Sequence, residues 1–267
     1  MGQLRKAQIQ PANIVAFPEP DAPSKTHSPH IQMLGKQIVE RDGVLVLSTE
    51  WQAARSREIF YYLLFMGGQQ KEDLTLEFWS HQDYQRVRQN LHSTISRGRA
   101  TIGNNVVVYR DDLYCINPDI DIWCDAHRFE KYIRDARGKP SRDVRTQELW
   151  RRALALYQGD FLPGFDSLWV IEERERLREL ALEAMIGSGD CAQAQADFGG
   201  AVIQYQQALK LNEFREDVHR AILMCYAAWG ERHKIKAHFE ALRQLFLREL
   251  GCDVSDETVR LVRNLLG

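Results

Sequence analysis

Tyr84-Gln-Arg-Val-Arg-Gln-Asn-Leu-His-Ser-Thr-Ile-Ser-Arg-Gly-Arg-Ala-Thr-Ile102 is the stretch that decides the fold. Wound at about 100° per residue, it gathers Tyr84, Val87, Leu91, Ile95, Gly98 and Ile102 on one face. The opposite face carries Gln85, Arg86, Gln89, His92, Ser93, Ser96 and Arg97, with Arg88 and Arg99 on a flank. From Tyr84 to Arg110 there are five arginines and no acidic residue, although residues 31–118 as a whole are close to neutral. Arginine pairs with guanine edges or phosphates, glutamine with adenine, and serine with either. The placement of charge, not its total, points to the major groove of double-stranded DNA.

Working outward, Asp83 is placed to cap this helix and Gly103-Asn104-Asn105 to end it. Val106-Val-Val-Tyr109 and Leu113-Tyr-Cys-Ile116 read as a hairpin turned at Asp111-Asp112. Upstream, a helix closing on Glu58-Ile-Phe-Tyr-Tyr-Leu-Leu-Phe65 is stopped by Gly67-Gly68, and a short helix follows from Lys71 to Trp79. Before these, Ile31-Gln-Met-Leu34 and Val44-Leu-Val-Leu47 read as strands with a turn at Asp42-Gly43. Strands, three helices and a hairpin make a winged helix-turn-helix over residues 31–118, with the third helix as recognition element. Residues 1–30 hold Pro11, Pro18, Pro20, Pro23 and Pro29 and little apolar periodicity, which reads as a disordered tail or linker.

Residues 119–267 read as almost wholly helical. Asp125 is placed to cap a helix through Arg137, another runs from Ser141 to Tyr157, and a long one starts near Ser167. Ala201, Tyr205 and Ala208 recur as Ile235, Phe239 and Leu242, displaced by 34 residues, and Ala196-Asp197 recurs as Gly230-Glu231. That period is the signature of tetratricopeptide-like helix pairs, and a closing helix from Ser255 to Leu266 completes the stack. The expected architecture is mainly α with a small β component: a winged helix followed by an all-α helical repeat.

The 267 residues, 44% of them hydrophobic, supply ample core material. The longest apolar run is about half a membrane span, so no transmembrane helix is expected. The basic N-terminus is followed by no apolar segment, so it does not read as a secretion signal. Five scattered cysteines without a C-x-x-C pair suit reduced thiols in a cytoplasm. The sequence shows no phosphate-cradling glycine loop, zinc-spaced histidines or nucleophile elbow, so neither an enzyme nor a bound cofactor or metal is expected.

The candidate DNA contacts are Gln85, Arg86, Gln89, Ser93, Ser96, Arg97 and Arg99 on the helix. Arg110 on the wing would meet phosphate or the minor groove, and Arg55 and Arg57 near the start of the first helix would add phosphate contacts. The helical repeat offers a platform for an effector or protein partner.

Several segments carry a family resemblance. They are Leu34-Gly35, Asp42-Gly43, Phe78-Trp79, Leu91-x-x-x-Ile95-x-Arg97 and Asp125-Ala126-x-x-Phe129-Glu130. Further along come Ala153-Leu-Ala-Leu-Tyr-Gln-Gly159-Asp-Phe-Leu162, then Trp169 with Glu173-Arg174 and Leu177-Arg178, and Arg248-Glu-Leu-Gly251. In this order they resemble the Streptomyces antibiotic regulatory protein family, an OmpR-like winged helix ahead of a bacterial transcriptional activation domain. The resemblance implies an activator that binds directly repeated promoter sites as adjacent protomers, making a second copy a candidate partner, and recruits RNA polymerase holoenzyme. Two positions depart from the pattern. Gly98 stands where the family has leucine, thinning the packing under the recognition helix, and Asp112 stands where it has glycine. Gly98 motivates the alternative: an adaptor or effector-binding regulator whose winged helix does not read DNA specifically.

Overall fold

The computed structural model describes residues 29–80 and 84–267, and the side chains of all of these except 84–88. The expectations for the tail and for Asp83 lie outside the described residues. β1 (His30–Gln32) pairs antiparallel with β2 (Ile38–Arg41), which turns through Asp42-Gly43 into β3 (Val44–Leu45). Asp42 and Gly43 have φ of 54° and 75°, the left-handed pair that a tight hairpin turn needs. The turn therefore lies where the sequence puts it, but the strand leading into it is Ile38–Arg41 and not Ile31–Leu34. Met33 and Leu34 have left the sheet, because their N–H groups are taken elsewhere.

Three helices follow: α1 (Ala54–Met66), α2 (Lys71–Trp79) and α3 (Tyr84–Ile102). Gly67, with φ of 85°, ends α1. The wing is β5 (Val107–Arg110) and β6 (Leu113–Ile116). In chain order β4 (Gln69–Gln70) comes before α2 and joins the far side of β6. This third strand of the wing sheet has no apolar alternation, so pattern reading passes over it.

Next come β7 (Trp123–Cys124) and the helices α4 (Asp125–Ala136), α5 (Val144–Leu156) and α6 (Leu168–Ala194). β7 adds in parallel to β1, so the second segment completes the first segment's sheet. Asp125 is not the cap of α4, since Cys124 holds that position. The buried Asp125 carboxylate instead accepts from Met33 N at 2.8 Å, from Leu34 N at 3.0 Å and from Ala126 N at 2.7 Å. Burial pushes this carboxyl up to about 6, opposed by the N–H donors of Leu34, Met33 and Ala126.

Two loops cross directly above this carboxylate. Gly35 N donates to Asp160 O at 2.9 Å, Leu162 N donates to Met33 O at 2.8 Å, and Leu34 bridges Phe161. Gly35 has φ of 87°, and a Cβ there would stand 2.7 Å from Gln158 O. Arg174 on α6 holds the second loop by donating to the carbonyls of Phe161, Leu162 and Phe165 at 2.9–3.0 Å. One apolar core thus runs from Ile31 to Cys191, through the buried face of α1. The boundary expected near residue 118 is a boundary of sequence pattern, while the packing is continuous across it.

The repeat appears where the sequence placed it. α6 and α8 (Glu216–Ala228) end 34 residues apart, as α7 (Phe198–Leu211) and α9 (Arg232–Glu249) begin. The left-handed turns between them fall at Ala196 and Gly230, with φ of 61° and 80°. In the first unit Tyr205 lies on the bare backbone of Gly189 and donates its hydroxyl to Asp190 at 2.7 Å. In the second unit Phe239 occupies the tyrosine's place and Met224 the aspartate's, so the hydroxyl and its acceptor are replaced together. α10 (Asp256–Leu266), capped by Ser255, closes the stack against α8 and α9.

Two substitutions test the crossing. Gly35→Ala should cost about 2 kcal/mol or more, from the left-handed backbone alone, before its clash with Gln158 is counted. Asp125→Ala removes the acceptor of three buried N–H groups, those of Met33, Leu34 and Ala126, and should cost on the order of 3 kcal/mol. Urea unfolding of each variant against the unaltered chain reads both.

Candidate nucleic-acid interface

α3 is amphipathic in space as in sequence. Leu91, Ile95 and Ile102 are buried under it, while Gln89, His92, Ser93, Ser96 and Arg97 are exposed along its outer side. Gln85 and Arg86 fall in its first two turns, and their side chains lie outside the described residues. Ser93 donates to the carbonyl of Asn90 at 3.0 Å, which leaves its oxygen free to accept. The C-terminal end of α3 is tied down twice. Arg41 donates to Thr101 O at 2.8 Å, and Thr101 Oγ1 donates to Glu50 O at 3.2 Å.

Three of the expected arginine contacts are engaged otherwise. Arg99 is half-buried and donates Nε to Val107 O at 2.7 Å, pinning the recognition helix to the wing. Arg57 lies over the Phe165 ring at 5.0 Å with its Nε buried, so it faces the helical segment. Arg55 is exposed but pairs with Glu58 at 2.9 Å and covers the Phe78 ring. Arg110 stands on the wing, 61% exposed, and makes a loose pair with Asp111 at 3.8 Å.

The two family departures have local explanations. At Gly98 a Cβ would meet Ser56 O at 3.6 Å and Ser56 Cβ at 3.9 Å on α1, ordinary contact distances, so the glycine leaves room for a methyl group there. At the wing tip Asp111 and Asp112 have φ of 52° and 61°. Aspartate tolerates that region, so a glycine is not required.

On the repeat side, a cavity of about 670 Å³ opens between α7, α9 and the loop joining α7 to α8. Leu209, Phe214, His219 and Leu245 are among its lining. His219 Nε2 lies 3.0 Å from Glu213 O and therefore donates, which leaves Nδ1 to accept from His238 Nε2 at 2.9 Å. Burial lowers the pKa of His219, and burial with the neighbouring His219 pulls His238 down to about 4. No sequence pattern signals this pair, because 19 residues separate its members. Among the described residues, no helix is long and apolar enough to cross a membrane.

A winged helix fused to a stack of helix pairs defines a class of transcription regulator. The family model described as the bacterial transcriptional activator domain matches residues 124–266, and the chain belongs to that family. The match begins in β7, the strand that joins the two segments. No curated protein matches the chain. Among solved structures it is similar to that of Mycobacterium tuberculosis EmbR in complex with a low affinity phosphopeptide. The TM-score is 0.72 at 16% identity, covering 90% of this chain and 65% of that one. The likeness is one of fold, and this chain spans about two-thirds of that chain's length. Together these findings meet the expectation of a regulator resembling the Streptomyces antibiotic regulatory proteins.

Two measurements follow. Gly98→Ala should stabilise the fold by up to about 1 kcal/mol, since alanine favours the helix and fits beside Ser56, whereas Gly98→Leu should destabilise it. Thermal melts of both variants decide this. The second concerns pH. The folded histidine pair stays neutral where the unfolded chain, with a reference pKa of about 6.5, takes up protons. Its contribution is therefore fully present above pH 6.5 and is lost as the pH falls toward 4. The urea midpoint should drop between pH 7 and pH 5, and should drop less in His238→Gln.

Proposed function

We propose that this chain is a sequence-specific DNA-binding activator that acts in the cytoplasm without enzymatic activity. The observation that carries the reading is the exposed side of α3. Gln89, Ser93, Ser96 and Arg97 stand there on a helix that has no carboxylate and is braced from behind by α1 and from the side by the wing. With Gln85 and Arg86 from the first turns, these residues enter the major groove, and Arg110 meets phosphate beside the wing. Arg55 can reach phosphate only by leaving Glu58.

The shared core supports a rigid coupling between reading head and repeat. A winged helix seated on a promoter then presents the helix pairs at a fixed angle. Residues 119–267 serve as the surface that recruits RNA polymerase holoenzyme, with adjacent protomers on directly repeated sites. The cavity beside His219 is the candidate place for an effector.

Titration against the chain's own upstream region over a salt series tests the reading face. Each phosphate contact removed, at Arg86, Arg97 or Arg110, should flatten the salt slope by about one unit. Specific affinity unchanged in an Arg86→Ala, Arg97→Ala double variant would overturn the assignment of that face.

A further inference from the structure

His92 is exposed on α3, one turn beyond Gln89 and one turn before Ser96, on the side toward the wing. Its Nδ1 lies 3.3 Å from the hydroxyl of Tyr114 on β6. Tyr114 is itself buried, and its ring packs 4.8 Å from that of Tyr109, its partner across the β5–β6 pair. The chain of contacts therefore runs from wing to recognition helix and ends at one imidazole. Among the described residues, the Tyr114 hydroxyl has no other hydrogen-bond partner. With the phenol as donor, being the stronger acid of the two groups, Nδ1 accepts and the ring proton sits on Nε2.

A free imidazole in a groove can turn over and offer either a donor or an acceptor, which discriminates poorly between bases. Holding Nδ1 removes that freedom and makes Nε2–H a fixed, outward donor. We infer that His92 is a specificity-determining residue of the recognition helix, its Nε2–H donating to the N7 of a purine in the major groove. The inference rests on the proposed DNA-reading face. Purine N7 is chosen over guanine O6 and thymine O4 because it lies toward the groove margin, which a residue on the flank of a seated helix reaches.

The test uses the full chain and the tightest duplex it selects from a random-sequence library. Purines are replaced one at a time by their 7-deaza analogues, which lose the N7 acceptor and keep base pairing. One position should weaken binding by the unaltered protein roughly fivefold, the worth of one net hydrogen bond. At that position His92→Ala should show no further loss. His92→Gln, whose amide nitrogen stands near the place of Nε2, should recover part of the sensitivity. Tyr114→Phe, checked for fold by circular dichroism, should lose sensitivity at that position while binding of unrelated duplexes stays unchanged. An identical 7-deaza pattern in the unaltered protein and His92→Ala would overturn the inference, as would a His92→Ala loss equal on every duplex, which marks a phosphate contact. Failure to select any sequence would instead overturn the DNA-reading function itself.

Discussion

The structure depends on where two backbone N–H groups go. When Met33 and Leu34 leave β1 they enter the protein interior, where an unmet donor is expensive. The Asp125 carboxylate meets both from the first turn of α4, 91 and 92 residues further along the chain. That single acceptor fixes the exit of the first sheet against the start of the second segment. It also brings Gly35 under the loop at Gly159, where only a residue without a side chain allows the two backbones to cross. Phe161 and Phe165 on that loop then fill the space beside α1, and Arg174 holds the loop by its carbonyls.

For function, the consequence is mechanical. α1 is buried on nearly every side because it lies between the wing segment and α6, with Tyr62 edge-on to Trp169 and Tyr61 edge-on to Phe165. The same helix supports α3 through Ser56 and Gly98. Displacing the repeat would therefore disturb the packing under the recognition helix. The winged helix and the first helices of the repeat therefore share one continuous packed core.

Much of this is legible in the residues. The spans of α2 and α3, the glycine that stops α1, both left-handed turns and the 34-residue repeat follow from local rules that act over a few residues. Tight turns need residues that tolerate positive φ, and helices bury one stripe. The candidate site was legible only as a face. The wheel separates Gln89, Ser93, Ser96 and Arg97 from the core, but it cannot distinguish an arginine aimed at solvent from one spent on a carbonyl or an aromatic ring. Arg57 on the first helix and Arg99 on the flank of the third therefore read as candidate contacts alongside Arg97. Their partners, Phe165 and Val107, sit on elements whose position no periodicity encodes.

The sequence by itself determined the helices of the winged segment, their order and the polar side of the recognition helix, because propensity and amphipathic spacing are short-range. Tertiary structure alone decided the joining of the segments, the role of Asp125 and the meaning of Gly98. It also decided that Arg57 and Arg99 are engaged within the fold. Each of these depends on a partner distant in the chain, and the identity of that partner is set by shared burial and hydrogen-bond satisfaction, not by spacing.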